Sequence, residues 1–467
     1  MKILHISLGL PPFRTGGLTK YSLDLMKVQV EKRDEVYLLY PGRYGLFNSA
    51  VNIAYNGEEY GIKVYELINP LPVPLVSGIA EPAGFYKDVG KSCFQKFLNE
   101  AGPDIIHIHT LMGIPLEFFE AARENGIKMI FTTHDYFGLC PKGNLLDFNG
   151  EFCSDTMHGS KCILCNGTGY SHKKIRIMQS GPYRLVKSSR LFSLAKFLDS
   201  KLNGGGRQCA SARSPEEPSA LREKVDLSQA CEYVRLRDYY FRIYRMMDGF
   251  HFNSSVSREV YRRFFNAKGK VIPITHADIR SNKVKRSYRD TEDLNMVYIG
   301  PDSPMKGFPV LKDCLDQLLV EGVTRWHLTI YGCGRKQATD HYTFFQRYKY
   351  DELKKIFGSA HVIIIPSLWK ETFGFIGLEA LSFGVPVVLS ENVGFKDLLK
   401  NGITGLFYDG SRQELYKIVK SIIQDRSILR NIHNNIMDRG FSHDLYGHSR
   451  KVKDFYYSLL MEDYVIG

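Results

Sequence analysis

Long apolar runs are missing from this chain of 467 residues. None approaches the roughly 20 residues a membrane-spanning helix needs, so no such helix is expected. The N-terminus shows no small-residue cleavage site behind an apolar segment. It reads instead as a strand broken by Pro11-Pro12, and no secretory signal is expected. Nine cysteines in a large chain without such a signal argue against a disulfide framework and for reduced thiols or a metal site. No zinc-finger, RRM or KH signature is present, which makes nucleic acid a poor partner. Internal repeats are absent as well. The cytoplasm is the expected location.

What is present is a globular composition. With 44% hydrophobic residues, the chain can bury two domain cores, and its length favours two or three domains. Short apolar strands alternate with helix-length segments in both halves, as a parallel α/β sheet requires. Strands are expected at residues 2–8, 35–39, 62–67, 105–109, 129–133 and 249–253 in the first half. In the second they are expected at 296–299, 327–331, 361–365 and 385–389. Between Cys165 and Tyr233 the pattern degrades. Gly204-Gly205-Gly206, followed by Pro215 and Pro218, reads as a flexible insertion or lid. The polar stretch 277–292 is the expected seam between domains.

Charge adds a clue about partners. There are 62 basic and 50 acidic residues, a net charge of +12, which implies contact with something anionic. Between residues 173 and 201, Lys173, Lys174, Arg176, Arg184, Lys187, Arg190, Lys196 and Lys201 are interleaved with apolar residues, and Asp199 is the one acid. A basic amphipathic helix reads as binding an anionic membrane surface. The plainer reading is a solvated helical face over a domain core, and the two are compatible.

The most specific chemistry lies at Trp369-Lys370-Glu371-Thr372-Phe373-Gly374-Phe375-Ile376-Gly377-Leu378-Glu379-Ala380, directly after the apolar run from His361 to Ser367. Two glutamates stand across a strand–loop–helix junction, with glycines where the helix should begin. A helix N-terminus offers backbone N–H groups and a positive dipole end, which suits a phosphate. Glu371 falls in the loop facing that phosphate. Glu379 falls about two turns into the helix, within reach of a ribose hydroxyl. The pattern points to a bound nucleotide-sugar.

This block resembles the Glu-x7-Glu signature of the family-four retaining glycosyltransferases. Other landmarks agree: Met1-Lys2-Ile3-Leu4-His5-Ile6 leading to Gly16-Gly17, Asp104-Ile105-Ile106-His107-Ile108-His109, Thr132-Thr133-His134-Asp135 and Met305-Lys306-Gly307-Phe308. The resemblance implies a GT-B fold, two Rossmann-like parallel α/β domains facing a cleft. Residues 1–276 would form the acceptor-side domain with an insertion at about 140–240. Residues 277–441 would bind the nucleotide-sugar, and 442–467 would form a helix packing back on the first domain.

The resemblance also implies roles. Glu371 and His134 would act at the donor sugar. Gly16, Gly17, Lys306, Phe373, Gly374, Phe375 and Glu379 would bind the donor. The basic segment 173–201 suggests a glycan or lipid-linked glycan as acceptor, with the protein peripheral on the inner face of a membrane. No cofactor would be required, in keeping with the absence of an Asp-x-Asp motif. The structural alternative for His134 is an ordinary strand-end histidine. Of His107 and His109, which point to the same side of one strand, His109 is the better cleft candidate.

Two departures stand out. Pro301 occupies the place where the family usually carries a phosphate-clamping arginine, and Arg335 is a candidate substitute. The other lies at Ile274-Thr275-His276-Ala277-Asp278, where an Asn-Gly pair is usual. A nucleotide-sugar epimerase of the same fold and a non-catalytic nucleotide-sugar-binding subunit are the competing functions. A separate constellation, Cys140-x12-Cys153-x8-Cys162-x2-Cys165, has the ligand count and closing Cys-x2-Cys of a structural zinc. The alternative is reduced cysteines packed as small hydrophobes.

Overall fold

The computed structural model describes residues 1–45, 49–74, 78–183, 227–334, 337–346, 348–440 and 443–461. They divide into two compact units: residues 1–251, 266–270 and 449–467 form unit one, and 252–265 with 271–448 form unit two. Residues 252–265 and 271–276, expected with the first half, group with unit two. Ser254 Oγ donates to the Thr372 carbonyl at 2.7 Å, and the Ser255 amide and hydroxyl both reach Asp397.

Unit one is built on an eight-stranded sheet. Its strands are β1 (Lys2–Ile6), β2 (Glu35–Pro41), β3 (Asn52–Glu59), β4 (Ile62–Ile68), β5 (Ile105–Ile108), β6 (Lys128–Thr132), β7 (Gly249–Phe252) and β8 (Gly269–Val271). Their spatial order is β3-β4-β2-β1-β5-β6-β7-β8. The pairs from β4 through β7 are parallel, and β3 returns antiparallel to β4. Central strands such as β5 are buried at every position, as expected of a sheet covered on both faces. The helix Leu445–Met461 ends in this unit, where Lys453 pairs with Asp34.

Unit two carries a seven-stranded sheet ordered β11-β12-β10-β9-β13-β14-β15. The strands are β9 (Leu294–Ile299), β10 (Trp326–Tyr331), β11 (Gln337–Ala338), β12 (Tyr342–Phe345), β13 (Val362–Ile365), β14 (Val387–Ser390) and β15 (Leu406–Tyr408). All neighbours whose pairing is defined run parallel except β11 against β12. Its core joins Met296, Leu328 and Ile364 of the sheet to Phe308, Leu311 and Leu315 of the helix Phe308–Val320 and to Leu415 and Val419 of the helix Arg412–Gln424.

In each sheet, chain order reverses once beside the first strand. β1 has β2 on one side and β5 on the other; β9 lies between β10 and β13. Loops leaving the carboxyl ends of such strands diverge and leave room for a ligand at this switch point.

Candidate functional site

Unit two places the loops after β9 and β13 side by side. The amides of Leu368 and Trp369 both donate to the Met305 carbonyl, at 3.0 and 3.4 Å. Gly307 makes this approach possible. It adopts φ 71°, and a Cβ there would sit 1.7 Å from the Pro366 carbonyl oxygen. The result brings Lys306 Nζ to 2.5 Å from Glu371 Oε1, with the Trp369 ring centroid 5.2 Å from the ammonium. The hydroxyl of Ser367 also donates to Glu371 Oε1.

Glu371 is only 6% exposed. Burial pushes its carboxyl up, but the charge and hydrogen bond of Lys306, with bonds from Ser367 and Trp369, outweigh that push and hold it below the ordinary value. Its backbone is pinned by the neighbouring segment, donating to Asn392 O at 2.9 Å and accepting from Gly394 N at 3.1 Å. The carboxylate lies against the start of the helix Phe375–Ser382. A Cβ on Gly374, which caps that helix at φ 97°, would fall 3.2 Å from Glu371 Oε2. Phe373 is buried and packs edge-on against Phe375, with centroids 5.4 Å apart. The first amides of a helix have no intrahelical partner, so this junction presents donors beside an anchored lysine.

Farther along the same helix, Glu379 Oε1 lies 3.2 Å from Tyr350 Oη and 3.4 Å from His276 Nε2. His276 in turn meets the Phe375 ring edge-on, with centroids 5.1 Å apart. Tyr350 carried no signal in the sequence. His276, within the stretch that departs from the family pattern, supports the second glutamate. Pro301 accepts from Tyr298 Oη at 2.8 Å through its carbonyl. The proposed substitute for the missing arginine, Arg335, lies outside the described residues.

In unit one, Gly16 adopts φ 126° at the start of the helix Gly17–Glu31, and a Cβ there would meet nothing within 4 Å. His134 stands just beyond β6. Its Nε2 lies 3.3 Å from His109 Nδ1, and burial lowers its imidazole to about 3, keeping it neutral at physiological pH. His109 is 1% exposed and bonded on both ring nitrogens, so it sits behind His134 rather than lining a cleft. Asp135 accepts from the Phe137 amide at 2.8 Å, and burial raises its carboxyl to about 6.

The four cysteines gather in one region of unit one. Cys162 and Cys165 share the helix Ser160–Asn166, while the Cys153 amide bonds the Leu145 carbonyl at 2.8 Å. Burial, reinforced by Cys140 and the neighbouring thiols, raises Cys162 and Cys165 to about 12. Among the described residues, no three of these sulfurs lie within 4.8 Å of one another. Among the described residues, only His5, His107 and His109 bring three candidate ligand atoms within 4.8 Å of one another. Those imidazoles are committed to hydrogen bonds with Gln29, Tyr456, Thr132, His134 and one another. The flexible-insertion segments around Gly204 and Pro215, and the basic residues from Arg184 to Lys201, lie outside the described residues. No helix among those described is long and apolar enough to cross a membrane.

Two parallel-sheet α/β units, each with its loops opening at a switch point, define a GT-B fold. HepE of Anabaena in complex with UDP matches at TM-score 0.55 and 14% identity, over 98% of this chain and 100% of that one. Sucrose-phosphate synthase from Thermosynechococcus elongatus matches at 0.54 and 13%, over 99% of both. Residues 280–439 match the family described as Glycosyl transferases group 1, and residues 15–166 match Glycosyltransferase Family 4. The chain thus has the glycosyltransferase GT-B fold, with each unit carrying a segment of a glycosyltransferase family. Over 86 residues it is 35% identical to an uncharacterised glycosyltransferase of Methanocaldococcus jannaschii, 18% of this chain and 22% of that one. The chain spans between 16% and 36% of the length of the first curated relatives it matches.

Proposed function

We propose that the chain is a retaining glycosyltransferase that moves a hexose-type sugar from a UDP- or GDP-sugar to a hydroxyl of a lipid-linked glycan, without a catalytic metal. The observation that carries this reading is the Lys306–Glu371 pair laid over the start of the helix Phe375–Ser382, with Glu379 farther along it. An ammonium has three donors, so Lys306 can hold Glu371 and a diphosphate oxygen together. The helix amides stabilise the charge that grows on the diphosphate as it leaves. Glu371, held ionised, faces the sugar hydroxyls and supports an oxocarbenium-like transition state. Glu379, steadied by Tyr350 and His276, takes the ribose. His134 contacts the donor sugar. The leaving diphosphate accepts the acceptor's proton, which gives retention by front-face substitution. HepE, which shares the fold, is known with UDP bound.

For the acceptor, support comes from the helix His172–Met178. It buries Ile175 while Lys173, Lys174, Arg176 and Ile177 face outward, a surface suited to anionic lipid. The test is hydrolysis and transfer across a panel of UDP- and GDP-sugars, with and without lipid-diphosphate glycans, comparing wild type with Glu371→Ala. Acceptor-dependent nucleotide release from one donor, lost in the variant, is expected. Binding without turnover for every pair, or full activity in Glu371→Ala, overturns the reading.

A further inference from the structure

Behind His134 runs a line of buried polar side chains that the proposed function leaves unused. His134 Nε2 lies 3.3 Å from His109 Nδ1, His109 Nε2 lies 2.9 Å from His5 Nδ1, and His5 Nε2 lies 2.7 Å from Gln29 Oε1. The line continues through Gln29 Nε2 to Tyr456 Oη at 3.3 Å, and from Tyr456 Oη to His107 Nδ1 at 2.5 Å. It ends as His107 Nε2 meets Thr132 Oγ1 at 2.5 Å, and Thr132 Oγ1 meets His251 Nδ1 at 2.9 Å. All these residues belong to unit one, and behind His134 none is more than 2% exposed.

Burial on this scale forbids charge. It lowers His5 to about 4, and burial followed by the neighbouring histidines lowers His109 well below its ordinary value. A neutral imidazole has one donor and one acceptor, so fixing one nitrogen fixes the other. The Gln29 carboxamide oxygen can only accept, so His5 carries its proton on Nε2. His5 Nδ1 must then accept from His109 Nε2–H, and His109 Nδ1 from His134 Nε2–H. On the other side, the Gln29 amide donates to the Tyr456 oxygen, whose own proton goes to His107. His107 then donates to Thr132, and Thr132 to His251. Every bond runs in one direction, and bonds so aligned polarise and strengthen one another. The direction hangs on the Gln29 amide: turning it over would reverse the whole line.

We infer that this line is a tautomer relay in which Gln29, His5 and His109 hold His134 as the neutral Nε2–H imidazole, offering its Nδ1 lone pair to a hydroxyl of the donor sugar. Gln29, His5 and His109 are positioning residues, and the inference rests on the reading that His134 meets that sugar. A hydroxyl that donates to nitrogen gains electron density. That favours a sugar ring becoming positive as the diphosphate departs.

The test is long-range 1H–15N spectroscopy of the full chain labelled at the histidine rings, followed by the same measurement on Gln29→Met. In the wild type His5, His109 and His134 should all be neutral Nε2–H forms between pH 6 and 8, and an Nδ1–H or imidazolium form at any of them overturns the relay. In Gln29→Met, His134 should populate both tautomers. Turnover should fall roughly tenfold, about the worth of one hydrogen bond in the transition state, with donor KM within about twofold. His109→Gln, which keeps one donor and one acceptor, should retain more turnover than His109→Leu. An unchanged His134 tautomer in folded Gln29→Met also overturns the relay. A changed tautomer with unchanged turnover upholds the relay and instead removes His134 from the donor sugar.

Discussion

Replacing Lys306 by methionine keeps the length of the side chain and removes its charge, leaving a carboxylate that is 6% exposed without its cation. Breaking a buried ion pair by removing one partner costs about 3–5 kcal/mol. The lysine side chain is 26% exposed, so water screens part of the loss, and the Ser367 hydroxyl remains on Glu371 Oε1. A deficit of about 2–3 kcal/mol is therefore expected at pH 7.5. Glu371→Gln removes the stranded charge, so the double variant should be less destabilised than the sum of the singles by about 2 kcal/mol. The chain has two tryptophans, Trp326 and Trp369, and both lie in unit two. Urea unfolding followed by tryptophan fluorescence thus reports on the unit that holds the pair.

The pH dependence has a definite sign. In the wild type the Glu371 pKa is depressed, so its stabilisation is present above the ordinary glutamate range and is lost as pH falls through the depressed value. In Lys306→Met the upward push of burial is opposed by the Ser367 and Trp369 bonds alone, and the pKa rises. Protonation then relieves the stranded charge, so the variant's deficit should shrink on acidification below that raised value. Additivity of the two substitutions within about 0.5 kcal/mol, or a deficit that stays constant from pH 8 down to pH 4.5, would refute the argument.

Other perturbations probe separate parts of the chain. Gly307→Ala forces a Cβ into the Pro366 carbonyl and should destabilise unit two by about 2–4 kcal/mol while shifting Trp369 emission; a change below about 0.5 kcal/mol would contradict the packing described. His5 titrates at about 4 in the folded chain against an ordinary 6.5, so acidification between those values should remove up to about 3 kcal/mol through this group. The stability advantage of wild type over His5→Gln, followed by circular dichroism, should narrow steadily across that window, and a constant difference would count against a neutral buried imidazole. Tyr350→Phe deletes a 3.2 Å bond to Glu379 and should weaken nucleotide-sugar binding about three- to tenfold by calorimetry; unchanged affinity would detach Glu379 from the ligand.

The elements that local pattern encodes were legible. The apolar run ending at Ser367 and the glycines at 374 and 377 announced a strand and a helix start, and β13 and the helix Phe375–Ser382 occupy those places. The parallel strands through the centre of each sheet could be read from their apolar runs. β3 was missed because it is an edge strand with mostly exposed side chains and a register shift between Tyr55 and Glu58. The roles of Lys306 and Glu371 were assigned separately, and their pairing was invisible, because it depends on β9 lying beside β13 and on the Gly307 backbone. His5 and Gln29 gave no signal either. One looks like a polar interruption of a strand, the other like a helix-surface amide, and only the parallel register that sets His5 beside His107 shows what they do.

The bond between Gln29 and Tyr456 joins residues 427 positions apart. A chain emerging from the ribosome makes β1, β5 and β6 early, and nearby elements can begin to fold before synthesis ends. Tyr456 is translated after all three of these strands. Until then the Gln29 amide lacks the hydroxyl its Nε2 meets, and the imidazoles behind His134 can settle in either sense. The order of synthesis therefore places the completion of the line behind His134 after the strands that carry its imidazoles.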